Sequence, residues 1–305
     1  MVQNTSEITE ENPVEVLKRL GKIVPSHLDA INSLIGGHLV KIPTLIFGSP
    51  AAGKSLFEQQ LAMDFLARGQ NVLWVDCEGG ADVMFELWRP KYMSRFSLDY
   101  DIKVIYPDTK LEKTEKPTVF IIEARHIINI LGFHGVNIDL EVTKGKSEDS
   151  VAKINLRYLG KGKNLVKELI QKGEVKMLVY DSLTAPMKTT FVGGRIQFPA
   201  RADAFNLWLG AIKELVDTNS LVIYGTSHSS VDPTNPYANP HTSGGDTIKY
   251  VFKCSLYMQA SKSPKYKNNR KLYIERFFNI PPWQKWSALE LTEKNGYEDR
   301  AVADE

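Results

Sequence analysis

Residues 48–55 (GSPAAGKS) have the types and spacing of a phosphate-binding loop. In the pattern G-x-x-x-x-G-K-S, glycines adopt backbone conformations that side chains forbid, so successive backbone N–H groups can surround an anion. Lys54 is expected to reach the β- and γ-phosphates, and the Ser55 hydroxyl to hold Mg²⁺. The other predicted phosphate contacts come from Gly48, Ser49, Pro50, Ala51, Ala52 and Gly53. A glycine-rich turn that matches by chance is the alternative, but the strand and helix that flank the loop favour a site for ATP and Mg²⁺.

Two carboxylates are the candidates for the chemistry of hydrolysis. Asp181 follows the apolar run 177–180, where a carboxylate can hold the Mg²⁺ shell as a Walker B aspartate does. Glu78, in the run Asp76-Cys77-Glu78, ends the strand that follows the loop's helix and could orient and deprotonate the attacking water. The alternatives are an aspartate that caps a turn and a solvated glutamate at a helix start. The combination predicts a Mg²⁺-dependent ATPase.

Alternating strands and helices are predicted to place these residues. The segments expected to form buried strands are 44–47, 71–76, 175–181 and 221–225, with helices at 56–68 and 200–217 between them. Such alternation predicts an α/β fold with a mostly parallel central sheet, because parallel strands need helical crossovers. Towards the C-terminus, residues 251–259, 271–277 and 286–292 alternate like antiparallel strands.

Composition excludes several classes of protein. The 305 residues carry a net charge of +2, too small to indicate nucleic-acid binding from bulk charge. Two distant cysteines fit a reducing compartment and give no metal-binding spacing. The first residues lack the pattern of a signal peptide, and no apolar run reaches the length of a membrane helix. A soluble cytoplasmic protein with no membrane contact is expected.

One segment does not fit a minimal core. After a short strand at 103–106, about seventy residues precede the strand at 175; they contain an apolar helix-like stretch, 119–133, and a charged stretch, 141–151. An inserted subdomain or extended arm over about 108–172 is expected.

The motifs together resemble the RecA superfamily of ATPases, especially the archaeal RadA type. The resemblance rests on the lead-in 24–37, the phosphate-binding loop, Asp76-x-Glu78, Asp181-Ser182-Leu183-Thr184, the segment 243–248 and the segments 280–281 and 291–296. It implies a RecA-like P-loop NTPase core over 24–305, preceded by an extension over 1–23. It also implies that Glu78 is the general base, that the protein forms oligomers, and that it acts on DNA in recombination or repair.

The departures from that family imply a RadA paralogue. Such recombinases carry an N-terminal domain and a polymerisation motif, which are not apparent here. The sensor that is usually Asn-Gln is Ser227-His228, and Arg276 stands where the family has an acidic residue. His228 could still donate a hydrogen bond to the γ-phosphate, although a loop histidine without a role is the alternative. An accessory protein with a recombinase partner is therefore expected.

Cations in two segments are the candidate DNA contacts. The first segment would be the family's first DNA-binding loop, with Lys188, Arg195 and Arg201; the family's second loop would be 229–243. The second segment is the run 262–271, whose cations next to Tyr266 suit a phosphate backbone: Lys262, Lys265, Lys267 and Arg270. Solvated loops and a plain hairpin tip are the alternatives.

Two further functions stay open. One is a nucleotide-dependent binding module that regulates a recombinase with little turnover, indicated by Arg276 and His228. The other is a KaiC-like signalling ATPase or kinase, indicated by Thr226-Ser227-His228 together with the loop.

Overall fold

The computed structural model describes residues 12–143, 153–191, 198–231, 234–235, 238–243, 247–278 and 280–300. The helices are α1 (Pro13–Arg19), α2 (Asp29–Ile35), α3 (Lys54–Leu66), α4 (Ala81–Phe96), α5 (Ile127–Phe133), α6 (Leu165–Lys172), α7 (Ala185–Thr190), α8 (Phe198–Thr218) and α9 (Thr247–Val251). The first strands are β1 (Ile23–Val24), β2 (His38–Leu39), β3 (Thr44–Gly48), β4 (Asn71–Asp76), β5 (Asp101–Val104), β6 (Thr118–Glu123), β7 (His134–Thr143) and β8 (Lys153–Asn164). They are followed by β9 (Val175–Asp181), β10 (Val222–Ser230), β11 (His241–Thr242), β12 (Cys254–Ala260), β13 (Asn269–Phe277), β14 (Trp286–Thr292) and β15 (Gly296–Arg300).

A large mixed sheet forms the centre of the fold. Its strand order is β15-β14-β13-β12-β3-β10-β9-β4-β6-β5, and β11 pairs with β10 outside this path. The strands from β12 to β5 are parallel, whereas β12 to β15 pair antiparallel. The predicted α/β class with a mostly parallel central sheet and antiparallel C-terminal strands is therefore confirmed.

Both faces of the parallel part are buried, which explains why its strands are continuous apolar runs. On one face, Ile46 and Trp74 pack in a core with the helices α2, α3 and α4. On the other face, Leu45, Leu73 and Val75 pack in a second core with α5, α6 and α8. Because successive side chains of a strand point to opposite faces, neighbouring apolar residues serve different cores.

The segment 119–133 departs from its prediction. Its first part is the strand β6, which lies in the sheet between β4 and β5, and only its second part is the helix α5. The expectation of a helix is therefore wrong for the part of 119–133 that forms β6 and correct for α5, and the segment 108–172 contributes β6 to the central sheet. What stands apart from that sheet is the antiparallel hairpin of β7 and β8.

The first C-terminal strand also differs from its prediction. The predicted strand over 251–259 begins only at Cys254, as β12, since Val251 is the last residue of α9. It pairs antiparallel with β13 but parallel with β3, so it joins the two parts of the sheet.

The parallel order brings the predicted site residues to one edge. β3, β10, β9 and β4 are consecutive neighbours, so their carboxyl ends lie side by side. In open α/β sheets this edge is where ligands bind.

Candidate nucleotide-binding site

The loop 49–53 connects β3 to α3, and the backbone at Gly48 and at Gly53 lies very close to other groups. A Cβ atom on Gly48 would lie 2.3 Å from the Met258 carbonyl oxygen, and one on Gly53 would lie 2.1 Å from the Tyr297 hydroxyl. Gly53 also has φ of 90° and is the N-cap of α3, whose first turn receives no hydrogen bond from a capping side chain. Such a helix start, preceded by a tight loop, is a favourable position for an anion.

The ammonium group of Lys54 lies within the loop. Its Nζ donates to the carbonyl oxygens of Gly48 at 3.1 Å and Ser49 at 3.0 Å. Burial lowers the pKa of Lys54, and the carboxylates of Asp181 and Glu78 oppose this shift, followed by that of a third acid in α3. The ammonium group of Lys54 therefore interacts electrostatically with the acidic residues of the site.

The carboxylate of Asp181 ends β9 in a buried position, 7% exposed. Its Oδ1 accepts a hydrogen bond from the Thr226 hydroxyl at 2.6 Å. Burial raises the pKa of Asp181 to about 6; hydrogen bonds from Thr226 and Ser55 oppose the rise, and the charges of Glu78 and Asp76 add to it. Ser55 and Asp181, predicted as the metal pair, thus lie in contact.

Glu78 is more open than Asp181 and lies across from β9. Its Oε1 accepts from the Ser182 hydroxyl at 2.6 Å and lies 3.7 Å from Nε2 of His228. The Glu78 side chain is 43% exposed, so its carboxylate is accessible to water. Asp76, in the same run, instead accepts backbone N–H bonds from Glu78, Gly79 and Ala81, which fixes the turn into α4.

His228 lies in β10, two residues before its end, directly opposite Gly48 of β3. Burial lowers the pKa of His228, the ammonium groups of Lys188 and Lys54 lower it further, and Glu78 opposes them. Its Nδ1 is buried without a hydrogen-bond partner in the described structure. The structure therefore places His228 beside Glu78, with Lys54 close enough to influence its pKa.

Three residues at the site were not foreseen. Glu58, one helical turn after Lys54, is fully buried and neither carboxyl oxygen has a hydrogen-bond partner among the described residues. Burial raises the pKa of Glu58 well above its usual value, and Asp181 adds to the rise. Tyr297 donates its hydroxyl to the Gly53 carbonyl at 3.2 Å, and Arg125 lies beside Gly79, where a Cβ would fall 2.2 Å from its guanidinium. Glu58 follows Lys54 by four positions, a spacing that in a helix places the two side chains on one face and could have indicated Glu58. Nothing in the sequence indicates Tyr297 or Arg125.

The candidate DNA contacts of the first segment are only partly described. Lys188 is exposed on α7 and close enough to His228 to influence its pKa. Arg201 is half-buried on α8. Arg195 lies outside the described residues, as do residues 232–233 and 236–237 of the second family loop and the glycines 244 and 245 of the segment 243–248.

The cationic run between β12 and β13 is divided by the structure. Lys262, Lys265 and Lys267 are exposed around a short turn. Arg270 is instead buried, with its Nε donating to the Ala52 carbonyl at 2.6 Å. The expectation of an exposed contact at Arg270 is therefore wrong, because its guanidinium is committed to the phosphate-binding loop.

Comparison with known proteins adds no assignment to this geometry. No protein-family model matches the chain. No curated protein matches its sequence either. None of the helices in the described part of the chain is long and apolar enough to cross a bilayer.

Proposed function

We propose that the protein binds ATP with Mg²⁺ at residues 48–55 and hydrolyses it. The observation that supports this most directly is the meeting of Lys54, Asp181 and Glu78 beside an uncapped helix start, at the carboxyl edge of adjacent parallel strands. Each residue comes from a different element, and their side chains influence one another electrostatically. A loop that binds anions, a buried cation and two acids of different exposure are what phosphoryl transfer to water requires.

The residues present fit a Mg²⁺ ion. Ser55 and Asp181 supply a hydroxyl and a carboxylate in contact with each other. Among the described residues there is no group of three or more His, Cys, Asp or Glu side chains that could hold a metal. Magnesium binds mainly through one or two protein oxygens, water and the phosphates of its substrate, so this pair suffices. When bound, the ion would neutralise charge on the phosphates.

The remaining side chains have distinct roles in this proposal. Lys54 stabilises negative charge on the transferred phosphoryl group, since its ammonium already lies among the loop's carbonyls. Glu78 positions the attacking water and accepts its proton through the oxygen that Ser182 does not occupy. His228, near the end of β10, donates a hydrogen bond to the γ-phosphate.

The wider activity proposed is that of a RecA-like accessory protein in DNA recombination or repair. Support comes from the positions of Glu78, Asp181 and His228 at one edge of the sheet, which agree with the roles that the resemblance implies. Oligomerisation and a recombinase partner belong to the same proposal.

A nucleotide-dependent binding module with little turnover is the second candidate. It is favoured by the hydrogen bond from Ser182, which already occupies one oxygen of the proposed base at 2.6 Å. In this case binding of ATP would be retained and hydrolysis would be slow.

Turnover and binding of ATP separate these candidates. We expect Lys54→Ala to lower kcat/KM by about 100-fold or more, because a transition-state contact is lost. Glu78→Gln should retain ATP binding and lose turnover by about 100- to 10,000-fold. Lys176→Ala, at an exposed position near the start of β9, is the matched lysine control. Stoichiometric binding without turnover would favour the binding module, and a wild type indistinguishable from Lys54→Ala in both assays would refute both.

A further inference from the structure

A cavity of about 800 Å³ lies beyond the carboxyl ends of β5 and β6, where the hairpin of β7 and β8 packs beside α5. Its lining residues fall within 105–107, 123, 128–138 and 159–165, so most of them belong to the segment 108–172. We call this cavity the insertion pocket. It shares no lining residue with the loop 48–55, Glu78, Asp181 or His228 and is therefore a separate site.

The floor of the insertion pocket is apolar and its rim is exposed. Ile105, Ile138 and Leu165 are almost fully buried at the floor. Three large apolar side chains from three different segments remain exposed around them: Tyr106 (61%), Ile128 (37%) and Leu159 (56%). Apolar side chains that surround a cavity without covering it are typical of a binding site. The volume lies in the range of sites for small organic ligands.

The polar side chains of the insertion pocket leave one unpaired charge. Of its two charged residues, Lys163 is already paired, with Nζ 3.0 Å from Oε2 of Glu168. Glu123, the last residue of β6, has no ion pair or side-chain hydrogen bond in the described part of the chain. Three uncharged polar side chains also lack a hydrogen-bond partner among the described residues: Tyr106, Asn129 and Asn137. The charge that remains for a ligand is therefore negative.

We propose that the insertion pocket binds a small apolar amine, with its hydrocarbon body over the floor and its ammonium group at the Glu123 carboxylate. An anionic ligand would meet an unpaired carboxylate and a lysine that Glu168 already holds. A neutral apolar ligand would partly cover the carboxylate without giving it a partner. An ammonium group gains a charge-assisted hydrogen bond there, and the two amides can accept others.

Tryptamine is the probe, because its indole ring and ethylammonium group match the two parts of the insertion pocket. Tryptophol has the same skeleton with a hydroxyl in place of the ammonium group, and indole-3-acetate carries a carboxylate. Isothermal titration calorimetry measures the binding of each to the whole chain without nucleotide. Tryptamine should bind with a Kd of about 0.05 to 1 mM, as expected for a ligand of this size. Tryptophol should bind about 3- to 10-fold more weakly, and indole-3-acetate more weakly still.

Gly132 in α5 allows the cavity to be filled without strain. It lines the insertion pocket, its φ is not positive, and a Cβ there would meet no atom within 4 Å. Gly132→Leu should weaken tryptamine binding by about 10-fold or more, because the leucine occupies volume that the ligand needs. Its melting temperature should be equal to or above that of wild type, since leucine favours a helix over glycine. Gly210→Leu on α8, another helical glycine with open space around its Cβ, lies outside the pocket and should bind tryptamine like wild type.

Glu123→Gln tests the charge. The variant should lose the preference for tryptamine over tryptophol, so that the two Kd values agree within about 2-fold. Because this readout compares two ligands on one variant, a change in the folded fraction cancels. Glu214→Gln, at an exposed position of α8 outside the insertion pocket, should keep the preference of wild type.

Any of four results would overturn the proposal. They are no saturable binding of tryptamine up to about 10 mM, binding of tryptophol or indole-3-acetate as tight as that of tryptamine, an unchanged preference in Glu123→Gln, and wild-type affinity in Gly132→Leu. Failure here is separable from failure of the ATPase proposal, because the assay contains no nucleotide and the variants lie outside the nucleotide site. Lys54→Ala should bind tryptamine as wild type does.

Discussion

Replacing Asp181 by asparagine should stabilise the protein, and increasingly so as the pH rises. The carboxyl is buried, and its pKa is raised to about 6 from the ordinary 3.8. The folded state therefore binds this proton more tightly than the unfolded chain does. Stability is lost as the pH rises through the interval between the two pKa values, because ionisation is easier after unfolding.

The size of the effect follows from the shift. About two pKa units correspond to about 3 kcal/mol of unfolding free energy once the group is fully ionised. Asparagine has no such titration, so the stability of Asp181→Asn relative to wild type should rise by about 2 kcal/mol between about pH 4.5 and pH 8. The comparison of the two proteins cancels the titration of groups they share.

Urea unfolding at several pH values measures this difference in stability. Two threonine variants, one test and one control, add a second measurement. Thr226→Val removes a hydrogen bond that favours the ionised form of Asp181, so the decline in stability with pH should steepen by about 1 to 2 kcal/mol. Thr44→Val is the control, since its buried hydroxyl interacts with Cys254 instead. A stability difference between Asp181→Asn and wild type that does not change with pH would refute the reasoning.

Two further predictions concern the surroundings of the loop. Gly53→Ala should lose ATP binding and unfold more easily than Gly69→Ala. Both glycines have positive φ, but among the described residues only the Cβ at position 53 would meet another group, the Tyr297 hydroxyl. Equal melting temperatures and ATP affinities of the two variants would contradict this. Glu58→Met should raise the unfolding free energy at neutral pH by about 1 kcal/mol or more, since it removes two buried oxygens that have no partner in the described part of the chain. A loss of stability in urea unfolding would show that Glu58 is satisfied by a group such as bound water.

The central strands could be predicted because their environment is uniform. β4 and β9 have the bounds that the apolar runs indicated, since a strand buried on both faces must be apolar throughout. The meeting of Glu78 and Asp181 then follows from the rule that parallel strands end at one edge. The same rule could not separate β6 from α5, because a short apolar run has no period that distinguishes a strand from a buried helix.

The role of Arg270 could not be predicted for a different reason. A run of cations indicates a solvated surface when only its neighbours in sequence are considered. The Arg270 contact with Ala52 joins residues 218 positions apart and depends on β12 pairing with β3. Local composition therefore describes the lysines of the run and fails for the one residue that the sheet places against the loop.

The acids of the site also bear on what Asp181 is for. A buried carboxylate whose ionisation weakens the fold has no structural justification, because asparagine could accept the same hydrogen bond from Thr226. Ser55 and Thr226 both direct hydroxyl groups at it, and both favour the charged form. Burial therefore favours the protonated carboxyl of Asp181, whereas the two hydrogen bonds favour the ionised form. Because its pKa of about 6 lies close to neutral pH, the carboxyl can lose its proton when it binds a cation. Asp181→Asn should therefore lose Mg²⁺-dependent ATP binding as it gains stability. Titration with a non-hydrolysable ATP analogue, with and without Mg²⁺, measures this loss. Retained Mg²⁺ dependence in the variant would show that Asp181 does not hold the metal.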